Sequence, residues 1–149
     1  MKDYNGFTAD QRNRSYAWLK AQWAAGLLPR PSRCCACGQD RGIIDAHAED
    51  YSEPFGPHLL DYPLCFICHM MVHCRFKAKG AWNRYRAAIA QGYRFPAFFT
   101  RNFPAFTKLY LGDELPPHVA VITERRSFPL DDIDSGAILP QRDVLLSKG

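Results

Sequence analysis

Two C-x2-C pairs, Cys34/Cys37 and Cys65/Cys68, constrain this chain more than any other feature. Each pair aims two sulfurs at one point, and two such knuckles can close a tetrahedron around a single zinc ion. Any fold that uses them must bring the segment at 34–37 against the segment at 65–68. Gly38, directly after the first knuckle, suits a backbone turn that points amides at thiolates. Cys35 and Cys74 stand outside the pattern and read as spectators.

The second knuckle lies inside LCFICHMMVHC (64–74), which adds two imidazoles to three thiols. His69 and His73 are spaced i, i+4, so a helix would present both on one face. A Cys2His2 set would leave Cys34 and Cys37 without a role, and a thiolate-saturated zinc has no vacancy for more ligands. A second metal is the economical reading, with His47, between the two knuckles, as its third ligand.

At 149 residues the chain holds about one domain's worth of core. Apolar residues make up 47% and charged residues 23%, an ordinary soluble composition. No apolar run approaches the roughly 20 residues that span a bilayer, and MKDYNGFTADQRNR lacks a signal peptide's apolar core. The expected location is cytoplasmic, with no membrane partner, and there cysteines serve as metal ligands or free thiols rather than disulfides. Residues 1–110 hold fifteen Lys/Arg against eight Asp/Glu, whereas residues 111–149 hold four against seven. Residues 75–108 contain eight cations and no carboxylate, the footprint of a protein that touches a polyanion.

Along the chain, FTADQRNRSYAWLKAQWAAGLL (7–28) reads as a helix, with Thr8 or Asp10 capping its first turn and Gly26 stopping it. Tyr16, Leu19 and Trp23 recur at helical spacing. PRPSR (29–33) breaks the helix. A cysteine turn at 34–38 and a strand around GIIDAH (42–47) follow. Residues 49–63 read as a Pro/Gly-rich loop, Cys65 to about Phe76 as a short helix, and AWNRYRAAIAQ (81–91) as another, closed by Gly92. Pro96 and Pro104 limit any long helix in 93–110. Residues 113–149 read as a loosely attached tail, with a strand at VAVIT (119–123) and an acidic DDID (131–134). The expected divisions are 1–33, an N-terminal helical region; 34–76, the zinc-stapled core; 77–112, a basic aromatic flank; and the tail at 113–149.

The order CxxCG, a strand ending in His, DYSxP and LCxxCHxxxH resembles the HNH, or ββα-metal, endonucleases of the zinc-knuckle type. The resemblance covers roughly residues 34–76. It implies an α+β fold: a small ββα-metal core stapled by a four-cysteine zinc and flanked by helices. It also implies metal-dependent hydrolysis of DNA phosphodiesters. By the motif, His47 matches the metal-binding first member of a strand-end pair, and His69 and His73 match the helix ligands. The second member of that pair activates water in the family, and here its place is held by Ala48. Either the base is supplied differently, from His47 itself with Asp45 as a ligand or from His58 in the loop, or the chain binds DNA without cutting it.

The chemistry suits these residue types. Phosphodiester hydrolysis needs a cation on the non-bridging oxygen and leaving group, and a base for water. Imidazole titrates near neutrality and can serve as ligand or base. Histidine ligation admits Mg, Mn, Ni or Zn. In the flank, Arg75, Lys77, Lys79, Arg84 and Arg86 are the expected phosphate contacts to DNA, duplex by expectation. Its aromatics could stack on single-stranded bases, while Trp82, Tyr85 and Ile89, at helical spacing, read as core. The leading reading is a zinc-stapled, HNH-like DNA endonuclease. The rivals are a non-catalytic DNA-binding or regulatory descendant and a RING-like protein-interaction module.

Overall fold

The structure is a computed structural model that describes residues 2–112, 117–122 and 133. It is an α+β protein, and its contacts define two compact units that interleave along the chain. Of the described residues, the first is built from those up to Arg30, from Ala46–Tyr62 and from Ile133, the second from Pro31–Asp45, 63–112 and 117–122. Most of the expected tail lies outside the described residues.

In the first unit, α1 spans Ala9–Ala24. Thr8 caps it by accepting from the Gln11 amide, and the Gln11 side chain accepts from the Thr8 amide. This reciprocal box satisfies two of the helix's orphan donors. Gly26, at φ +70°, takes the left-handed position after the helix end, as its sequence position predicts. The buried positions of α1 are Arg12, Ser15 and Leu19, whereas Tyr16 is 46% exposed. Leu19 forms an apolar cluster with Ala48 and Leu59, against which Trp18, Trp23, Leu28, Tyr51 and Phe55 pack. Arg12 is buried because its guanidinium lies over both Tyr4 and Tyr51, at 5.0 and 5.1 Å from the ring centres.

Two short strands, β1 (Ile44–His47) and β2 (Tyr62–Cys65), pair in one sheet. The loop between them contains a single 3-10 turn at Pro57–Leu60. The chain enters α2 (Phe66–Cys74) directly from β2, giving the order ββα. The strand β2 falls in what the residues alone suggest is loop, because Pro63 in its middle masks the pattern.

In the second unit, α2 buries Phe66, Ile67, Cys68, Met71 and Val72. Helix α3 (Lys79–Ala90) buries Ala81, Trp82, Tyr85, Ala88 and Ile89, so the helical spacing of Trp82, Tyr85 and Ile89 is core patterning. Trp82 stacks on Tyr85, and Tyr85 on Phe95, with ring centres 5.2 and 5.6 Å apart. The pair β3 (Tyr93–Arg94) and β4 (Ala120–Val121) is antiparallel, and β4 lies within the strand expected at 119–123. Gly92, at φ +86°, is required there, since a Cβ would lie 1.8 Å from the Ile122 carbonyl oxygen. Helix α4 (Phe103–Tyr110) tolerates Pro104 because proline sits in its first turn, where no helical amide bond is lost. Asn102 caps it by accepting from the Ala105 amide at 3.0 Å.

Candidate metal centres

The first knuckle turns through a bond from the Gly38 amide to the Cys34 carbonyl at 3.0 Å, and the Cys37 amide approaches the Cys34 sulfur at 3.4 Å. The Cys35 amide donates to the Pro63 carbonyl at 2.8 Å, which ties this turn to β2 and hence to the second knuckle. Cys65 is the residue before α2 and Cys68 lies in its first turn, so helix entry aims both sulfurs the same way. All four cysteines are buried, with their sulfurs within 4.8 Å of one another. Cys37 and Cys65 sulfurs are 3.6 Å apart. Two ligands of a tetrahedral zinc at ~2.3 Å stand about 3.8 Å apart, so the spacing fits the ion.

Burial pushes the Cys34 thiol up, but hydrogen bonds from Cys37, Cys65 and Cys68 outweigh it and hold Cys34 well below the ordinary thiol range. Cys68 moves the other way, raised by burial and by the same neighbours. A bond with Cys34 raises Cys37, but bonds with Cys65 and Cys68 prevail and lower it, whereas Cys65 is raised by bonds with Cys34 and Cys37. A dication there would favour the thiolate form of every member. Cys35 and Cys74 are not part of the cluster.

A second group of donors surrounds α2. His69 and His73, one turn apart, bring their Nε2 atoms to 3.1 Å. Two nitrogens bound to one metal at ~2.0–2.1 Å stand about 3.0–3.4 Å apart, which matches. The Asp45 carboxylate accepts from His69 Nδ1 at 2.9 Å, leaving Nε2 as the nitrogen turned toward His73. Asp45 also accepts two bonds from the Arg101 guanidinium, at 2.8 and 2.6 Å. Burial raises the Asp45 carboxyl, but the bonds from Arg101 and His69 prevail and hold it well below the usual carboxylate range.

Asp45 and His47 are two residues apart on β1 and so share a face of the strand. His47 is 1% exposed, and its Nε2 faces Glu49 Oε2 at 2.5 Å. Glu49 is itself 1% exposed; Tyr4 donates its hydroxyl to the same carboxylate oxygen, and Asn5 donates its side-chain amide to the Glu49 carbonyl at 2.6 Å. Ring nitrogens of His47, His69 and His73 lie within 4.8 Å of one another, forming a histidine triad that could hold a metal.

Asp45, expected as a possible ligand, lies outside that group and behind His69. Ala48, where the resemblance places a water-activating residue, is 1% exposed in the apolar cluster with Leu19 and Leu59. His58 stands on the 3-10 turn with Nε2 3.2 Å from the Ser52 carbonyl oxygen. Glu49 and Tyr4 were not foreseen from sequence. Glu49, two residues after His47, was within reach of a strand-spacing argument, but nothing signals that Tyr4 returns to it from 45 residues away.

Of the expected phosphate contacts, Lys77 and Lys79 are exposed and Arg84 and Arg86 half-buried. Arg75 requires correction. It is 1% exposed, and its guanidinium donates to the Val72 carbonyl at 2.8 Å, capping α2 rather than facing solvent. Arg84 likewise donates to the Gly112 carbonyl. Among the described residues, no helix is long and apolar enough to cross a membrane.

Comparison with protein-family models, curated proteins and solved structures finds no match to this chain.

Proposed function

We propose that this protein is a zinc-stapled, divalent-metal-dependent endonuclease of HNH-like type that hydrolyses phosphodiester bonds in DNA. The observation that carries the reading is the histidine triad at the end of β1 and along one face of α2, in ββα order, beside a separate four-cysteine cluster. Two of the three imidazoles have a carboxylate behind them, Glu49 on His47 and Asp45 on His69. Such partners fix ring orientation and raise ligand basicity, which supports a metal centre over histidines merely buried in a core.

In this reading His47, His69 and His73 hold the ion. His47, its Nε2 facing Glu49, and His69, its Nδ1 bonded to Asp45, would each offer a ring nitrogen to such an ion. A divalent ion there supplies Lewis acidity to a non-bridging phosphate oxygen and to the leaving oxygen. Mg, Mn, Ni or Zn could fill that role. Lys77 and Lys79 contribute sequence-independent attraction to the backbone. His58, whose Nε2 lies 3.2 Å from the Ser52 carbonyl oxygen, is the loop imidazole that would accept a proton from water.

The test is incubation of the zinc-loaded protein with supercoiled plasmid and Mg, Mn or Ni. Nicking by wild type, abolished in His69→Ala at unchanged zinc content, is the expected result. The reading fails if no divalent ion supports nicking. One observation favours a second reading, a non-catalytic DNA-binding descendant: Ala48 is not merely a substitution but a packed member of the apolar cluster. Salt-sensitive DNA binding without nicking would select it.

A further inference from the structure

Nine aromatic residues punctuate the carboxylate-free segment 75–108. Most are accounted for by packing. Trp82, Tyr85, Phe95 and Phe106 are buried, Tyr93 stacks on His118 at 3.8 Å, Phe98 stacks on Phe66 at 5.2 Å, and Phe103 meets Phe66 edge-on at 5.5 Å. Two are not. Phe76 and Phe99 are each 67% exposed, and each carries a guanidinium on its ring, Arg75 at 4.5 Å and Arg41 at 5.9 Å.

We infer that Phe76 and Phe99 are stacking platforms for unpaired bases, and that the nucleic acid this protein engages is DNA that is single-stranded or locally unpaired. The inference deepens the proposed function and rests on its choice of DNA as partner, not on hydrolysis.

Phe99 is presented rather than left over. The Ile43 amide donates to the Phe98 carbonyl at 2.7 Å, just before β1 begins. That approach demands Gly42, at φ +69°, since a Cβ there would lie 2.4 Å from the Phe98 oxygen. With the Phe98 ring held on Phe66, the backbone is pinned and the next side chain is directed outward. The turn is therefore preorganised, which reduces the ordering cost of binding. Phe76 is fixed differently, by a guanidinium anchored to the last turn of α2, the helix that carries His69 and His73. Phe99 lies two residues before Arg101, which clamps Asp45 behind His69. Each platform thus belongs to a backbone segment that also serves the histidine centre.

The surroundings select the occupant. Cations flank both exposed rings: Lys77 and Lys79 follow Phe76, Arg101 follows Phe99, and Arg41 lies over the Phe99 ring. They suit a polyanion whose bases offer π faces, and in a duplex those faces are already stacked on each other.

The test uses full-length, zinc-loaded protein without added Mg, Mn or Ni, so that hydrolysis plays no part. The probe is a single-stranded oligonucleotide carrying 2-aminopurine, compared with the same strand in a duplex. Expected is tighter binding of the single strand with quenched 2-aminopurine fluorescence. Phe76→Ala and Phe99→Ala should each weaken single-strand binding by roughly 5- to 150-fold, leave duplex binding unchanged, and keep the zinc content. Phe99→Tyr should restore the quench. Undiminished quenching in the double alanine variant, equal losses on single strand and duplex, or a preference for duplex would each overturn the inference. Plasmid that stays uncut while the quench behaves as expected would remove the hydrolase reading and leave this one standing.

Discussion

Glu49 lies 2.5 Å from Nε2 of His47, with both side chains withdrawn from solvent. A buried carboxylate is costly unless its oxygens are bonded, and here Tyr4 and His47 share one of them. The pair fixes the orientation of the His47 ring. Glu49→Gln should weaken binding of the second divalent ion about 10- to 100-fold, the usual cost of losing a carboxylate behind a metal-bound histidine. Titration calorimetry with Ni or Mn on the zinc-loaded variant measures it. Unchanged affinity would detach Glu49 from metal binding.

The four-cysteine cluster should hold one zinc that contributes directly to folding. Structural zinc supplies ~10–16 kcal/mol in small peptides, comparable to a domain's whole stability of about 5–15 kcal/mol. Cys65→Ser should therefore give unfolded or insoluble protein, while Cys74→Ser, outside the cluster, should fold with its zinc. Metal analysis that finds no zinc in wild-type protein would end this assignment.

Arg101 is half exposed, so its ion pair with Asp45 should add less than about 1 kcal/mol to stability. Its effect should appear instead at His69, which Asp45 orients. Arg101→Ala and Asp45→Asn should both lower divalent-ion affinity, the second more, with little change in melting temperature. A large thermal loss with intact affinity would make the clamp purely structural.

The two thiol pairs and the helix histidine pair were legible because their spacing is local. Cys34/Cys37, Cys65/Cys68 and His69/His73 are each set by one turn of backbone, and a turn can be read from a few residues. The carboxylates and cations around them were less so. Arg101 reaches Asp45 across 56 residues, and Tyr4 reaches Glu49 across 45. No periodicity encodes such pairings, because they depend on how separate elements pack. Arg75 shows the opposite failure: a charge in a basic run looks solvated until the helix end that needs its donors is seen. The helix α4 was hidden by Pro104, which reads as a breaker until Asn102 is placed as the cap.

Burial, and then the neighbouring Cys34 charge, push the Cys35 thiol up to about 12. In the unfolded chain it ionises near the ordinary ~8.5. The unfolded state thus loses its proton first, so Cys35's contribution is fully present below that value and is lost as pH rises toward 12. Denaturation monitored between pH 7 and 11 should show stability falling on the alkaline side, with a shallower fall in Cys35→Ser. An identical alkaline slope in the variant would place the titrating group elsewhere.

The final prediction separates ligand from base. Asp45 is committed to His69 and Arg101, which leaves His47 as the residue of β1 available to ligate. If His47 holds the ion, it cannot also take a proton from water through the same nitrogen, and its other nitrogen already faces Glu49. Ala48 has no group to substitute. On the proposed reading the proton would go to another residue, and His58, the imidazole of the loop between β1 and β2, bonded to the Ser52 carbonyl, is the one to test. His47→Ala should lose both divalent-ion affinity and nicking. His58→Ala should keep the ion and lose nicking by roughly 10²–10⁴-fold, the usual contribution of a positioned base. If His47→Ala retains the ion but not the activity, the roles are reversed, and Asp45 must leave Arg101 to become the ligand. If neither substitution changes the rate, hydrolysis does not run through this centre.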